Sequence, residues 1–271
     1  MYAVDMLKSL TVWAYKKFPS YWPFPKGKGI AARCLLAAAR MGVLKPDWVE
    51  KDGFWLWTNI EDFNQREITI GAFDETVLQT TIASLYEGNV FLDIGANVGY
   101  LSLIASRCVG SHGRVLAFEP NPFTVKILRK NVERNGARNI AIQQMACCNY
   151  SGSTKFFTGT GRHSGLASLS SENAGGTISV NVKCCSIDEV VAEERLHNVH
   201  LIKTDTEGAE LSVMLGAQNT IRRFRPKVLV EIEESKLSAF KTKPAEIFRL
   251  FEQWKYSGMP VGRTNWLFLP R

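Results

Sequence analysis

The stretch VFLDIGANVGYLSLIA, residues 90–105, constrains the fold more than any other. An apolar run ends at Asp93, small residues turn the chain from Gly95 to Gly99, and apolar positions then recur at helical spacing. A strand that breaks through glycines into a helix brings main chain close to a ligand, because glycine carries no β-carbon to hold the two apart. The same rhythm continues after Gly88. NVFLDI leads to a helix over 98–108, and RVLAFEP to one over 121–135 closed by Gly136. IAIQQMA adds a strand, HLIKTD leads to a helix over 208–222, KVLVEIE to one over 244–256, and NWLFLP is a last strand. Strands alternating with helices predict an α/β fold with a doubly wound, mainly parallel sheet. Residues 151–187 interrupt the rhythm as a β-rich insertion, with strands in TKFFTG and TISVNVKCCSI. Upstream, REITIGAFDETVLQTTIASL reads as a short strand, a glycine turn and a helix.

Residues 1–60 have another character. MLKSLTVWAYKKF has amphipathic helical spacing, PSYWPFPKGKG breaks it with three prolines, and a second helix is expected over 30–42. Two domains of description follow: an N-terminal helical and aromatic arm, 1–60, and a main domain, 61–271. The arm is expected to pack on the main domain; a peripheral membrane contact through residues 1–30 is the alternative. The longest apolar stretch, IAARCLLAAARMGVL, is interrupted by Arg33 and Arg40 and does not reach a membrane span, and Asp5 and Lys8 spoil a signal-peptide order. A cytoplasmic location is therefore expected. The net charge of +7 is mild and no dense basic tract concentrates it. Six cysteines, at 34, 108, 147, 148, 184 and 185, include two adjacent pairs and no C-x-x-C, a poor disulfide framework, so reduced thiols are expected. His197 and His200 lack partners that would complete a metal site, and no metal is expected.

In open parallel sheets, ligands sit beyond the carboxyl ends of the strands. Asp93, Glu119, Asp205 and Glu231 all fall at such ends. A dinucleotide fingerprint needs G-x-G-x-x-G, and here the register reads Gly95, Asn97, Tyr100. A P-loop is excluded because no G-K-[ST] follows. A ligand with a ribose and a positive charge but no phosphate fits better. Gly95 and Gly99 allow close main-chain approach, Asp93 faces the cation, and Glu119, ending the next strand, can accept hydrogen bonds from both ribose hydroxyls. S-adenosylmethionine has these features, and the turn with its acidic second strand end is similar to class I methyltransferases.

The segments FLDIGANVGYLSL, AFEPNPFTVKILRKNVERNG, LIKTDTEGAELSVMLGA and RPKVLVEIE together resemble the FkbM-type methyltransferases, over about residues 66–235. Lys203–Glu210 is the most specific marker, and IGAFDE, 70–75, resembles the family's entry segment. The resemblance implies a seven-stranded, Rossmann-like methyltransferase sheet. It implies S-adenosylmethionine as cofactor and transfer of methyl to a hydroxyl of a sugar, glycolipid or natural product. It also implies a cofactor site built from Asp93, Gly95, Ala96, Asn97, Gly99, Tyr100, Glu119, Pro120, Asn121, Ala146 and Asp205. Cys148-Asn149 departs from the Ser-Asp step common in the family near the adenine edge. For proton removal, Asp205 at the fourth strand tip and His163 in GTGRHSGLASL rank first. Glu207 follows, then Lys203, which shares a strand face with Asp205, and Glu231. The competing readings are a nucleic-acid methyltransferase and a non-catalytic S-adenosylmethionine-binding protein. Nucleic acid is disfavoured because the sequence holds neither an N-P-P-Y-type motif nor a basic stripe with interleaved aromatics. Retention of the acidic Lys203–Glu207 segment favours catalysis.

Overall fold

A computed structural model describes residues 28–158, 167–174 and 178–271. The helix expected in MLKSLTVWAYKKF and the candidate His163 lie outside the described residues.

Four buried, largely apolar strands form the centre: β3 (Val90–Ile94), β4 (Arg114–Phe118), β9 (Leu201–Thr204) and β10 (Lys227–Glu231). Strands covered on both faces need apolar residues at every position rather than at alternate ones, which is why these segments read as unbroken runs. Leu92, Ile94, Leu116, Phe118, Ile202, Val228 and Val230 build the core on one side. Phe91, Val115, Leu201 and Leu229 build it on the other. With β5 (Ile140–Gln143), β11 (Tyr256–Val261) and β12 (Asn265–Pro270), they make a seven-stranded sheet ordered β11-β12-β10-β9-β3-β4-β5. β12 runs antiparallel to both its neighbours, and the remaining pairs are parallel. The chain travels from β3 outward to β5, then returns to β9 on the other side of β3. This reversal leaves a crevice at the carboxyl ends of β3 and β9, where such sheets hold ligands.

Helices α1 (Lys28–Arg40), α2 (Phe63–Thr69) and α3 (Glu75–Ser84) precede the sheet, with α4 (Tyr100–Val109) and α5 (Pro122–Arg134) between its first strands. A hairpin of β1 (Asp47–Lys51) and β2 (Phe54–Thr58) docks on α5. The backbone N–H groups of Trp55 and Trp57 donate to Asn135 and Asn131, at 2.8 and 2.7 Å. The insertion is a three-stranded sheet ordered β6-β8-β7, made of β6 (Ala146–Cys147), β7 (Gly152–Thr158) and β8 (Ile178–Cys185). It is followed by α6 (Ile187–Glu193), then α7 (Glu210–Gly216), α8 (Gln218–Phe224), α9 (Glu234–Ser238) and α10 (Pro244–Gln253). Among the described residues no helix is long and apolar enough to cross a membrane.

Several expectations are corrected. The strand read in REITI is the second half of α2. Asp62 caps that helix by accepting the Gln65 N–H at 3.0 Å, and the buried positions Gln65, Arg66, Ile68 and Thr69 follow helical spacing. The single helix expected over 208–222 is two, because the Asp188 carboxylate accepts the N–H groups of Asn219 and Thr220 and starts α8 afresh. The cysteines read as reduced include a bonded pair, Cys148–Cys184. Register pairs Cys147 with Cys185 across β6 and β8. Alternation then sends Cys148 and Cys184 into the insertion's own core, while Cys147 and Cys185 face the main core. Finally, folding assembles the basic, aromatic stripe that the sequence lacks as a run. Lys126 lies over Phe123, Lys130 over Trp57, and Arg134 beside Trp48 and Trp55.

Asn131 joins three parts of this framework. It is fully buried (0 %), accepts the Trp57 N–H from β2, and donates through Nδ2 to the Val98 carbonyl of the glycine turn at 2.8 Å. Asn131→Ala orphans both groups, and urea denaturation is expected to show a loss of about 1–3 kcal/mol.

Candidate active site

A cavity of about 440 Å³ opens at the tips of β3, β4 and β9. Its wall includes Asp93, Gly95, Ala96, Asn97, Tyr100, Glu119, Pro120, Ala146, Lys203, Asp205, Glu207 and Glu231. Gly99 and Asn121 stand behind it. A β-carbon on Gly99 would come within 2.3 Å of Leu128 on α5, so this glycine serves helix packing. Asn121 caps α5 by accepting the Phe123 N–H at 3.0 Å. Tyr100 is buried with its hydroxyl bonded to Asp52, which leaves ring rather than hydroxyl at the wall.

The glycine turn is fixed by contact. Gly95 has φ of 83°, and a β-carbon there would sit 2.0 Å from the Asp205 carbonyl oxygen. The turn after β3 therefore lies directly on the loop after β9, and only glycine fits between them. Glu119 is buried at the end of β4. One of its oxygens accepts the Asn97 N–H at 3.0 Å, the other the Asn121 N–H at 2.8 Å. Each oxygen retains a lone pair, the arrangement needed to receive the two hydroxyls of a ribose. Burial pushes the Glu119 carboxyl up to about 7. Asp93 is fully buried, accepts the Ser102 hydroxyl at 2.5 Å, and keeps a second oxygen, Oδ1, that receives no hydrogen bond. That oxygen lies 3.9 Å from the Lys203 ammonium, its register partner across β3 and β9. Burial raises the Asp93 carboxyl above the ordinary range, against the pull of Lys203. The diol-ready Glu119, the underused Asp93 and the glycine cradle fit a nucleoside carrying a positive charge.

The loop after β9 holds the second half of the site. Asp205 lies 3.4 Å from the Lys203 ammonium. Burial opposes its ionisation, but the ammoniums of Lys203 and Lys236 outweigh that and hold its carboxyl below the ordinary aspartate range. Burial and the charge of Asp205 push Glu207 up to about 7 and Glu231 up to about 9. Glu231 accepts the Lys236 ammonium at 3.1 Å and the Thr264 hydroxyl at 3.4 Å. Carboxylate oxygens of Asp205, Glu207 and Glu231 lie within 4.8 Å of one another, the spacing of a cluster that could surround a cation.

Three further residues carry this loop and were not singled out from the sequence. Glu210, buried in the first turn of α7, accepts the N–H groups of Thr206 and Gly208 at 2.8 and 3.2 Å. Its place in the Lys203–Glu210 motif was the available signal. Lys236 on α9 pairs with Glu207, Glu231 and Glu233. Asn173, from the insertion, donates to the carbonyls of both Glu207 and Lys236 at 2.7 Å. Neither lies in a periodic pattern that could have announced it.

A parallel sheet with one antiparallel strand next to its edge, a glycine turn after its first strand and an acidic tip on the next define the class I methyltransferase architecture. The chain belongs to the FkbM methyltransferase family: the Methyltransferase FkbM domain matches residues 93–257. S-adenosylmethionine is accordingly its cofactor. The hexuronic acid methyltransferase AglP of Haloferax volcanii is 27% identical over 68% of this chain and 70% of its own length. Methyltransferase sdnD of Sordaria araneosa is 27% identical over 56% of this chain and 70% of its own. The crystal structure of methyltransferase FkbM from Methylobacillus flagellatus is 14% identical, with a TM-score of 0.45, over 76% of this chain and 65% of that one.

With a ribose seated on Glu119, cofactor binding is expected to depend on pH. Hydrogen bonds from a ribose favour the ionised carboxyl, so its pKa falls when the site fills and affinity rises as pH climbs through about 7. Calorimetry with S-adenosylhomocysteine is expected to show affinity weakening below that pH, by up to about tenfold per unit. Glu119→Gln is expected to bind more weakly and to lose this dependence.

Proposed function

We propose that the protein transfers a methyl group from S-adenosylmethionine to a hydroxyl of a sugar, glycolipid or natural-product acceptor, with Asp205 receiving the hydroxyl proton. One observation carries the reading. The glycine turn that cradles the cofactor rests on the Asp205 carbonyl, so the cofactor site and the ionised Asp205 share one cavity wall. When bound, S-adenosylmethionine supplies an electrophilic methyl on a sulfonium. An alcohol is a weak nucleophile, and a positioned base typically contributes about 10²–10⁴-fold. Asp205 is the carboxylate suited to this work, because two ammoniums keep it ionised. Burial and the charge of Asp205 raise the proton affinity of Glu231, which makes it the weaker acid of the two. Glu207, level with neutrality, is half available. Lys203 serves by holding Asp205 and Asp93 in place. His163 remains the alternative acceptor of the proton.

Phe156, Ala167 and Leu169 of the insertion also line the cavity. Apolar wall beside a polar proton-handling corner suits a sugar ring or a lipid-linked glycan, whose faces are apolar and whose edges carry hydroxyls. The named activity of the AglP relative, on a hexuronic acid, agrees with a sugar acceptor. A second reading, RNA or another nucleic acid as acceptor, has the stripe of Lys126, Lys130 and Arg134 among aromatic rings in its favour.

Incubation of a host extract with the enzyme and deuterated methyl donor, read by mass spectrometry, is expected to label a glycan or small hydroxylated molecule. Labelling of RNA instead would establish the second reading. With that acceptor in hand, Asp205→Asn is expected to slow turnover by about 10²–10⁴-fold, with S-adenosylhomocysteine affinity measured separately. Normal turnover in Asp205→Asn, with loss in His163→Ala, would transfer the role to His163.

A further inference from the structure

The Lys236 ammonium sits among carboxylates on three sides, 2.9 Å from Glu207, 3.1 Å from Glu231 and 3.3 Å from Glu233. Two of these residues belong to the cluster whose oxygens, with those of Asp205, lie within 4.8 Å of one another. Clusters of this kind attract hard divalent cations, which seek several carboxylate oxygens at about 2.0–2.6 Å. Here the cation is part of the chain. A divalent ion placed among the same oxygens would meet the ammonium at contact distance, and like charges so close repel strongly.

The main chain around Lys236 is held as firmly as its side chain. Asn173 ties its carbonyl to that of Glu207. A β-carbon on Gly208 would lie 2.4 Å from the Lys236 carbonyl oxygen, so the loop after β9 is pressed against α9. Glu207 takes the left-handed conformation, φ 57°, which a residue other than glycine holds only where its surroundings impose it. The Ser168 hydroxyl, donating to the Glu207 carbonyl at 3.0 Å, is part of that surround. A lysine at 21% side-chain exposure, docked on both main chain and carboxylates, is a fixture of the site rather than a surface charge.

We propose that Lys236 is the resident cation of the Asp205–Glu207–Glu231 cluster, occupying the position of a divalent ion, so that methyl transfer by this protein needs no metal. Lys236 is thereby a positioning residue: with Lys203 it keeps Asp205 as the ionised member of the cluster. This catalytic consequence rests on the reading of Asp205 as proton acceptor; the occupancy of the cluster does not.

The test uses the full chain as wild type, Lys236→Met and Lys236→Arg, with Mn²⁺ titrated by calorimetry and followed by its electron paramagnetic resonance. S-adenosylhomocysteine affinity is measured on the same samples. Wild type and Lys236→Arg are expected to leave Mn²⁺ free up to about 1 mM, beyond the range of ordinary carboxylate sites. Lys236→Met is expected to bind one Mn²⁺ per chain at least about tenfold more tightly than that limit, and Glu207→Gln added to it is expected to abolish the gain. The proposal is overturned if wild type binds Mn²⁺ stoichiometrically and Glu207→Gln removes that binding. It is equally overturned if folded Lys236→Met binds S-adenosylhomocysteine but no Mn²⁺. Should Lys236→Met not fold, the wild-type and Glu207→Gln titrations decide alone. Failure of wild type to bind S-adenosylhomocysteine would end the functional reading and leave the metal result to be judged separately.

Discussion

The contact between Gly95 and the Asp205 main chain governs the architecture of the site. β3 and β9 pair in parallel, and their continuations past the sheet turn toward each other instead of splaying. The absence of a single β-carbon permits this. Because of it, the glycine turn after β3 and the loop after β9, to which the proposed function gives the cofactor and the acceptor proton, form one wall. Cross-strand register does the rest, setting Asp93 opposite Lys203 one step below the turn. Positioning of this kind is what an in-line displacement demands before any acid–base chemistry.

The wall concentrates charge that would be intolerable unpaired. Asp93, Asp205, Glu207 and Glu231 crowd around Lys203 and Lys236, and burial raises the proton affinity of most of these acids. Asp205 escapes because the charges of both ammoniums favour its ionised form, Lys203 foremost at 3.4 Å. The acids thus differ in proton affinity through placement alone, although their intrinsic acidities are nearly equal. A set of titratable groups driven apart in this way is the usual signature of a site that moves protons.

Much of this was legible in the sequence, and the physical reasons are particular. β3, β4, β9 and β10 announced themselves because strands buried on two faces must be apolar throughout. The carboxylates at their ends stood out by interrupting those runs. α2 misled because Ile68 and Ile70 alternate with polar residues and are β-branched, while the cap at Asp62 decided the conformation. β11, YSGMPV, escaped because its middle four residues are exposed and two of them are glycine and proline. The cysteine pairing depends on the register of β6 against β8, separated by 36 residues along the chain between the bonded cysteines, and no local spacing encodes it. Lys236, Asn173 and Ser168 meet Glu207 only through tertiary docking, so their roles belong to the fold and not to any motif.

Asn173 gives the insertion a double duty. The same excursion that lines the cavity with Phe156, Ala167 and Leu169 also braces the main chain of Glu207 and Lys236. On the proposed function, selectivity and proton handling are therefore not separate modules in this chain. Transplanting the excursion of a relative to change which molecule is accepted would remove a strut from the chemistry as well. A lineage, or an engineer, altering one has to rebuild the other in the same step.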